Sequence, residues 1–330
     1  MLPVQVVSVV RLVVAGAAVA CCSGATLAQG PATWPQRNVT IIVPFTPGTS
    51  ADILSRMLGP RLSERWKVAI VVENRAGATG NIGAELVAKA APDGHTLLMT
   101  ATAFGMTPAI YPKLPFDAAK SFTPVVLTAT SAVGLIVHPQ LPVKSAREFI
   151  QLAKRRPGQM LYSSPGNGGP QHLTMELFKL ETGIDIVHVP YKGLAGAMTD
   201  LMGGHVQAMI SALGSAAPYV AGGRLRLLAV MTAERSPAFP DVPTMKELGL
   251  ANLEVYTWYG LLGPAGMPSS AVSRANADIN ALLQLPEVSE QLAKQSLNAG
   301  GGPPERLGAL VKSELARWRR VVTAAKIKAD

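Results

Sequence analysis

Cysteine is almost missing from this chain of 330 residues: there are two, Cys21 and Cys22, side by side near the start. A chain cut after residue 28 would have none, which excludes a disulfide framework and thiolate metal sites. Charged residues are also few, at 15%, against 48% hydrophobic. That balance excludes disorder and leaves enough apolar side chains for a sizeable core. The apolar run Leu12 to Ala20 is too short and too small-sided to span a membrane. Motifs that carry catalysis are missing too. There is no phosphate loop ending in Gly-Lys-Ser/Thr and no His-Glu-x-x-His, and Gly77, Gly80 and Gly83 do not have dinucleotide-fingerprint spacing. Gly48-Thr49-Ser50-Ala51-Asp52 lacks the last glycine of a nucleophile elbow, and spacing identifies no partner histidine. No catalytic set, cofactor or metal site is therefore expected, and a secreted hydrolase is the weakest reading. The net charge of +9 is scattered along the chain. Scattered basic residues argue against nucleic acid and suit a mildly positive binder of small anions.

Arg11 is the only charge ahead of the apolar run, and the small residues Gly24-Ala25-Thr26-Leu27-Ala28 follow it. Residues 1–28 thus read as a secretory signal cut near Ala28. Lipid anchoring at Cys21 or Cys22 is the alternative, since Ala18-Val19-Ala20-Cys21 loosely resembles a lipoprotein cleavage box. The remaining residues suffice for two ordinary domains.

The stretch Val39 to Leu54 organises the rest. Val39 to Val43 is a short β-branched run suited to a strand buried on both faces. Pro47 and Gly48 punctuate it, and Ser50 reads as the N-cap of a helix with Asp52 in its first turn. The apolar spacing of Ile53, Leu54, Met57, Leu58 and Leu62 continues that helix. A helix start leaves backbone N–H groups unpaired, so this turn is an anion seat in the making. A second such unit runs from Leu161 through Ser163-Ser164-Pro165-Gly166-Asn167-Gly168-Gly169, with Pro170 at a first helical position. Between and beyond them strand and helix alternate. Strands are expected at Val68 to Val72, Thr96 to Met99, Ile184 to Val189, Val206 to Ile210 and Leu225 to Val230. Ser145-Ala146-Arg147-Glu148 is a capping box. From about Pro268 the chain reads as mostly helical, with an apolar stripe of Leu307, Leu310, Val311, Leu315, Trp318 and Val322.

Alternation of this kind predicts an α/β fold with mostly parallel sheets flanked by helices. Val125 to Val137 and Leu253 to Leu262 read as extended crossover strands joining two lobes. The expected division is residues 35–131 with 258–330 as lobe 1 and 132–257 as lobe 2. Loops that follow strand C-termini would then meet at a shared cleft.

Several short motifs share one family likeness. They are Pro44-Phe45-Thr46-Pro47-Gly48 with Asp52 and Arg56, Val72-Glu73-Asn74-Arg75-Ala76-Gly77, and Pro92-Asp93-Gly94-His95-Thr96-Leu97. Further on come Tyr162-Ser163-Ser164-Pro165-Gly166-Asn167-Gly168 with His172-Leu173, His188-Val189-Pro190-Tyr191-Lys192-Gly193, and Arg235-Ser236-Pro237 with Pro240-Asp241-Val242-Pro243-Thr244. In this order they resemble the Bug, or TctC-like, substrate-binding proteins over essentially the whole chain after the signal. The resemblance implies a two-lobed periplasmic-binding-protein fold of type II-like form. It also implies a periplasmic, monomeric protein that captures a small carboxylate and delivers it to the permease subunits of an inner-membrane tripartite tricarboxylate transporter. A periplasmic sensor subunit for a membrane receptor kinase would bind the same ligand. Thr49 departs from the family pattern, which has a second glycine there.

The candidate ligand contacts follow the loops. The first loop offers Phe45 as an apolar wall and Thr46, Gly48, Thr49 and Ser50 as donors. The second offers Ser164, Gly166, Asn167, Gly168 and Gln171. Ala103 and Phe104 close a third strand, and Tyr191 and Ser211 follow two more. Asp52 reads as a partner for its own helix start, since a bare carboxylate would repel an anion, and His172 as a packing histidine. No arginine is required. Micromolar affinity needs about 8 kcal/mol, and hydrogen bonds to a charged group supply roughly 1.5–3 kcal/mol each.

Overall fold

The computed structural model describes residues 34–111 and 113–328. The signal segment 1–28, with Cys21 and Cys22, lies outside the described residues. Strand β1 (Val39–Val43) forms where the β-branched run predicts it and is almost wholly buried. Helix α1 (Ser50–Trp66) follows. Its N-cap is Thr49 rather than Ser50, and no side chain caps it. The Thr49 hydroxyl turns back to the Thr46 carbonyl at 3.0 Å, while Asp52 takes the Gly48 N–H at 3.0 Å.

Strands β2 (Ile70–Asn74) and β3 (Thr96–Ala101) flank β1, both parallel to it. Helix α2 (Asn81–Ala88) connects them, and α3 (Ala103–Ile110) follows β3. Strand β4 (Phe122–Val137) is the first crossover. Helix α4 (Ala146–Arg155) then leads to a second βα series. It comprises β5 (Leu161–Ser164), α5 (Pro170–Thr182), β6 (Val187–Pro190), α6 (Leu194–Met202), β7 (Ala208–Ala212), α7 (Leu213–Ala221) and β8 (Arg226–Val230). Strand β9 (Tyr256–Pro264) returns along β4, and α8 (Ser269–Leu283), α9 (Pro286–Lys294), β10 (Asn298–Ala299) and α10 (Pro304–Ala325) complete the order. The capping box forms at α4: the Glu148 N–H donates to Ser145 Oγ at 3.2 Å. The Glu148 carboxylate accepts from the Lys144 N–H at 2.7 Å.

The strand order is β2-β1-β3-β9-β4-β7-β5-β6, with β8 and β10 also on β4. Parallel pairs within each βα series and antiparallel pairing along β4 and β9 make the sheet mixed. Strand β4 changes partner along its length. Up to Ala132 it pairs with β9, and from Val133 with β7 and β8. The result is two lobes, each a sheet flanked by helices, joined by extended strands. The Val255 N–H donates to the Met231 carbonyl, and the Met231 N–H to that of Val133, at 2.8 Å each. These bonds tie the second crossover to the first.

Several elements differ from the sequence expectation. Strands β2 and β7 each run two residues later than the apolar runs Val68 to Val72 and Val206 to Ile210, and β9 begins at Tyr256 rather than Leu253. Strand β6 begins at Val187 rather than Ile184, and Ile184 and Ile186 ahead of it are buried in the core with Phe149 and Phe178. Strand β10 interrupts the helical C-terminal part, pairing Asn298 with Thr130 and Ala299 with Ala129. Helix α10 carries the predicted apolar stripe, and its two ends serve different cores. Leu307 and Val311 pack with Phe104, Phe122 and Leu262. Trp318, Val321 and Val322 pack with Met106, Phe149 and Phe178.

Candidate functional site

The first loop is shaped by a buried carboxylate. Asp52 Oδ2 accepts the Gly48 N–H, and Oδ1 accepts Arg56 Nε and Asn74 Nδ2, all at 3.0 Å. Asn74 Nδ2 also reaches the Phe45 carbonyl at 3.1 Å, and Arg56 Nη2 donates to Asn74 Oδ1 at 2.9 Å. The loop backbone is thus pinned at Phe45 and Gly48 by side chains of α1 and β2. Burial pushes the Asp52 carboxyl up, but the Gly48 N–H, Asn74 and Arg56 outweigh it and hold it below the usual carboxylate range. Gly48 has φ +82°, a left-handed conformation open to glycine at little cost. The backbone ladder of α1 begins with the Ile53 N–H on Thr49, so the N–H groups of Ser50, Ala51 and Asp52 have no partner within the helix. Burial pushes the Tyr259 hydroxyl of β9 up, and Ser50 nearby lowers it in part.

The second loop is held from within its own lobe. Ser164 Oγ donates to the Gly166 carbonyl at 2.8 Å and lies 2.7 Å from His188 Nε2. Because that hydroxyl proton is committed, His188 Nε2 is the donor to Ser164. The Gly168 N–H donates to His172 Nδ1 at 2.9 Å, so the neutral His172 ring carries its proton on Nε2. The two imidazoles stack at 3.8 Å between centroids, and Tyr162 stacks on His188 at 4.8 Å. Below them the Tyr162 hydroxyl and Lys179 Nζ donate to one oxygen of Glu176, at 2.6 and 2.8 Å. Burial, with the Glu176 charge beside it, pushes the Tyr162 hydroxyl up.

Helix α3 brings lobe 1 to this second loop. A Cβ on Gly168 would lie 3.1 Å from Ile110 Cδ1. Asn167 Nδ2 reaches the Lys328 carbonyl, beyond α10, at 3.3 Å. Next to the second loop is a chamber of about 20 Å³. Thr102 and Met106 line it from lobe 1, and Pro170, Gln171, Thr174 and Ile210 from lobe 2. Val133 and Val255 to Thr257 close it along the crossovers.

The predicted residues divide into three groups. Thr46, Gly48, Thr49 and Ser50 form the turn and helix start of the first loop, with Phe45 against it. Ser164, Gly166, Asn167, Gly168 and Gln171 form the second, and Ala103 opens α3 beside Thr102. The other three have their side chains engaged elsewhere. The ring of Phe104 is stacked on Phe116 at 6.3 Å and edge-on to Phe122 at 5.1 Å. The Tyr191 hydroxyl donates to Asp200 at 2.5 Å, and burial, then Asp200, pushes it up to about 12. Ser211 is buried on β7 opposite Gly134, with its hydroxyl 3.3 Å from the Ala212 carbonyl. Thr102, Met106, Ile110 and Tyr256 were not expected at the site. Ile110 and Met106 share the α3 face at i and i+4, a spacing that reads as ordinary core.

The sequence matches the family described as tripartite tricarboxylate transporter family receptor (TctC) over residues 54–327. It is 35% identical to Protein BugT of Bordetella pertussis (strain Tohama I), over 90% of this chain and 92% of that protein. Among solved structures, R. palustris Rpa4515 with adipate is similar at 36% identity and a TM-score of 0.74, covering 89% of this chain and 99% of that one. MatC (Rpa3494) from Rhodopseudomonas palustris with bound malate is similar at 32% identity and a TM-score of 0.71, covering 87% and 99%. With its two lobes, its paired helix-start loops and this match along most of its length, the chain belongs to the TctC family of solute-binding receptors of tripartite tricarboxylate transporters.

Proposed function

We propose that the protein captures a small carboxylate between the Thr46–Ser50 and Ser164–Gln171 loops and hands it to the permease subunits of its transporter. The supporting observation is the pair of loops itself. Each runs from a strand into a helix start, and each is braced by side chains of its own lobe, so both are shaped before a ligand arrives. Preformed donors lose little freedom on binding. Rpa4515 with adipate and MatC with malate support a carboxylate as the ligand class. Contacts are assigned to Phe45, Thr46, Gly48, Thr49, Ser50, Ala103, Ser164, Gly166, Asn167, Gly168 and Gln171. Since Gly48 and Gly168 give their N–H groups to Asp52 and His172, their part is to set the curve of each loop. The donors are the N–H groups of Ser50 and Ala51 in the first loop and of Gly169 and Gln171 in the second.

The lobes are taken as 35–131 with 258–330 and 132–257, with α10 lying against helices of both. The protein is read as a periplasmic monomer cut near Ala28, which binds its ligand without turning it over. A thermal-shift screen against mono-, di- and tricarboxylates tests the reading. Ligand at a hundred times its dissociation constant stabilises by about 2.7 kcal/mol, and the acid should be recovered unchanged. Absence of any stabilising carboxylate, or steady product formation in proportion to protein, overturns the reading. Mass spectrometry of exported protein should find an N-terminus near Gln29.

A further inference from the structure

The lobes also meet at Gly214, the second residue of α7. A Cβ on this glycine would lie 2.5 Å from Ser296 Cβ and 2.6 Å from Ser296 Oγ. The two residues are anchored in different cores. Leu213, just ahead of Gly214, is buried with Ile136 and Met209 of lobe 2. Leu297, just after Ser296, is buried with Ala129 and Leu261 of lobe 1. Both sides are fastened to β4 where that strand changes partner. Ala212 lies opposite Val133, and Ser131 Oγ donates to the Ser296 carbonyl at 3.0 Å. Ser296 has little room to yield, since its backbone is left-handed at φ +55° and its N–H donates to the Ala293 carbonyl at 2.9 Å. Gly214 itself is helical, where alanine is the better helix former. The glycine thus weakens α7 and permits a close approach between the lobes.

This contact lies across β4 from the second loop. Adjacent residues of a strand point to opposite faces. Val133 faces the chamber beside Pro170 and Gln171, and belongs to the same core as Met106 and Ile110. Ala132 faces the other way, packs on the core that holds Leu213, and lines a groove of about 220 Å³. Gly214 and Phe239 border that groove from lobe 2, and Ala293 and Ser296 from lobe 1. With β4 as the pivot, lobes that swing together on the ligand side swing apart at the groove. Gly214 against Ser296 limits how far the groove side closes, and so how far the ligand side opens.

We propose that Gly214 and Ser296 form the stop that sets the open angle of the lobes, which makes Gly214 a positioning residue for ligand capture. This rests on the carboxylate-capture reading and the lobe division above. A Cβ at Gly214 wedges the groove side apart and favours the closed arrangement. A protein whose binding-competent state is already populated binds more tightly. Removing the Ser296 side chain lets the groove side close further and acts in the opposite sense. Calorimetry with adipate, or with the acid that most stabilises the parent in the screen if adipate does not bind, tests this beside small-angle scattering of the ligand-free proteins. Gly214→Ala should bind about fivefold more tightly, or about 1 kcal/mol, and its ligand-free radius of gyration should shift toward that of the liganded parent. Ser296→Gly, which suits a left-handed backbone, should bind more weakly and shift the radius the other way. The double variant should return to within about twofold of the parent. Weaker or unchanged binding by Gly214→Ala, or a gain that the double variant keeps, overturns the stop and leaves carboxylate capture standing. A changed unfolding midpoint with parental affinity and radius does the same, since it marks a packing contact alone. Should Gly214→Ala not fold, Ser296→Gly decides by the same readings. Failure of every acid in the screen to bind the parent overturns carboxylate capture, and this inference with it.

Discussion

Gly48 and Asp52 are joined by a hydrogen bond from the glycine N–H to the carboxylate, 3.0 Å long. Its consequence is that Asp52 shapes the first loop from behind, with its carboxylate turned to Gly48, Arg56 and Asn74. Its folded-state pKa lies below the ordinary 3.8. A depressed carboxylate gives stability that is fully present above the unfolded value and is lost as pH falls through the folded one. Asp52→Asn should therefore flatten the acid side of the stability profile. At neutral pH it should cost about 1–3 kcal/mol, since one buried partner of a bonded set is removed. Urea denaturation from neutral to acid pH measures both. A variant as acid-sensitive as the parent would show that Asp52 is not the titrating brace.

Gly168 and Gly48 are both left-handed, at φ +67° and +82°, but their surroundings differ. An added Cβ meets nothing within 4 Å at Gly48, and Ile110 Cδ1 at 3.1 Å at Gly168. Gly48→Ala should cost only the backbone term, about 1–2 kcal/mol. Gly168→Ala should cost more, and Ile110→Val should give part of it back by removing Cδ1. In a double-mutant cycle the Gly168–Ile110 pair should couple by about 0.5 kcal/mol or more, while Gly48 with Ile110 should show none. Equal behaviour of the two glycines would mean that lobe 1 does not press on the second loop.

His172 gives the second loop its internal acceptor. His172→Leu leaves the Gly168 N–H without its 2.9 Å bond and should weaken binding of the best ligand by about tenfold, or about 1.4 kcal/mol. His172→Asn, which keeps a side-chain acceptor, should recover part of that loss. Calorimetry on folded variants decides, and a Leu variant with parental affinity would make this histidine a packing residue alone.

Much of this was legible before the fold was seen, because the relevant signals are local. The Val39–Val43 run, the Pro47–Gly48 turn and the long β-branched stretch ending at Val137 each state their own conformation. The side-chain partners were harder to read. Asp52 announces a helix start, but its bond to Asn74 joins residues 22 apart in sequence. Phe104 follows a strand that points at the cleft, yet its ring is captured by Phe116 and Phe122. The Gly77-Gly80-Gly83 spacing matches no nucleotide fingerprint, and one of its reasons is packing: a Cβ on Gly83 would lie 2.8 Å from that of Pro44. The chamber is assembled from α3, α5 and both crossovers, so no window of sequence contains it.

Glu314 is buried in the apolar stripe of α10 and accepts Trp318 Nε1 at 2.7 Å and Arg317 Nη1 at 3.2 Å. Arg317 also donates to the Glu254 carbonyl at 2.9 Å, just ahead of β9, so the group fastens the C-terminal helix to the second crossover. Burial raises the Glu314 carboxyl above the ordinary 4.5, more than Trp318 and Arg317 lower it. A raised acid binds its proton more tightly when folded. Stability therefore falls as pH rises from 4.5 through the folded value, and the cost is complete above it. Glu314→Gln keeps an acceptor for the indole and cannot ionise. Relative to the parent, it should gain stability steadily as pH rises through that window, even if loss of the Arg317 contact makes it less stable at the acid end. Denaturation midpoints for both proteins across the window give the difference directly, and a difference that does not change with pH would mean that Glu314 does not titrate there.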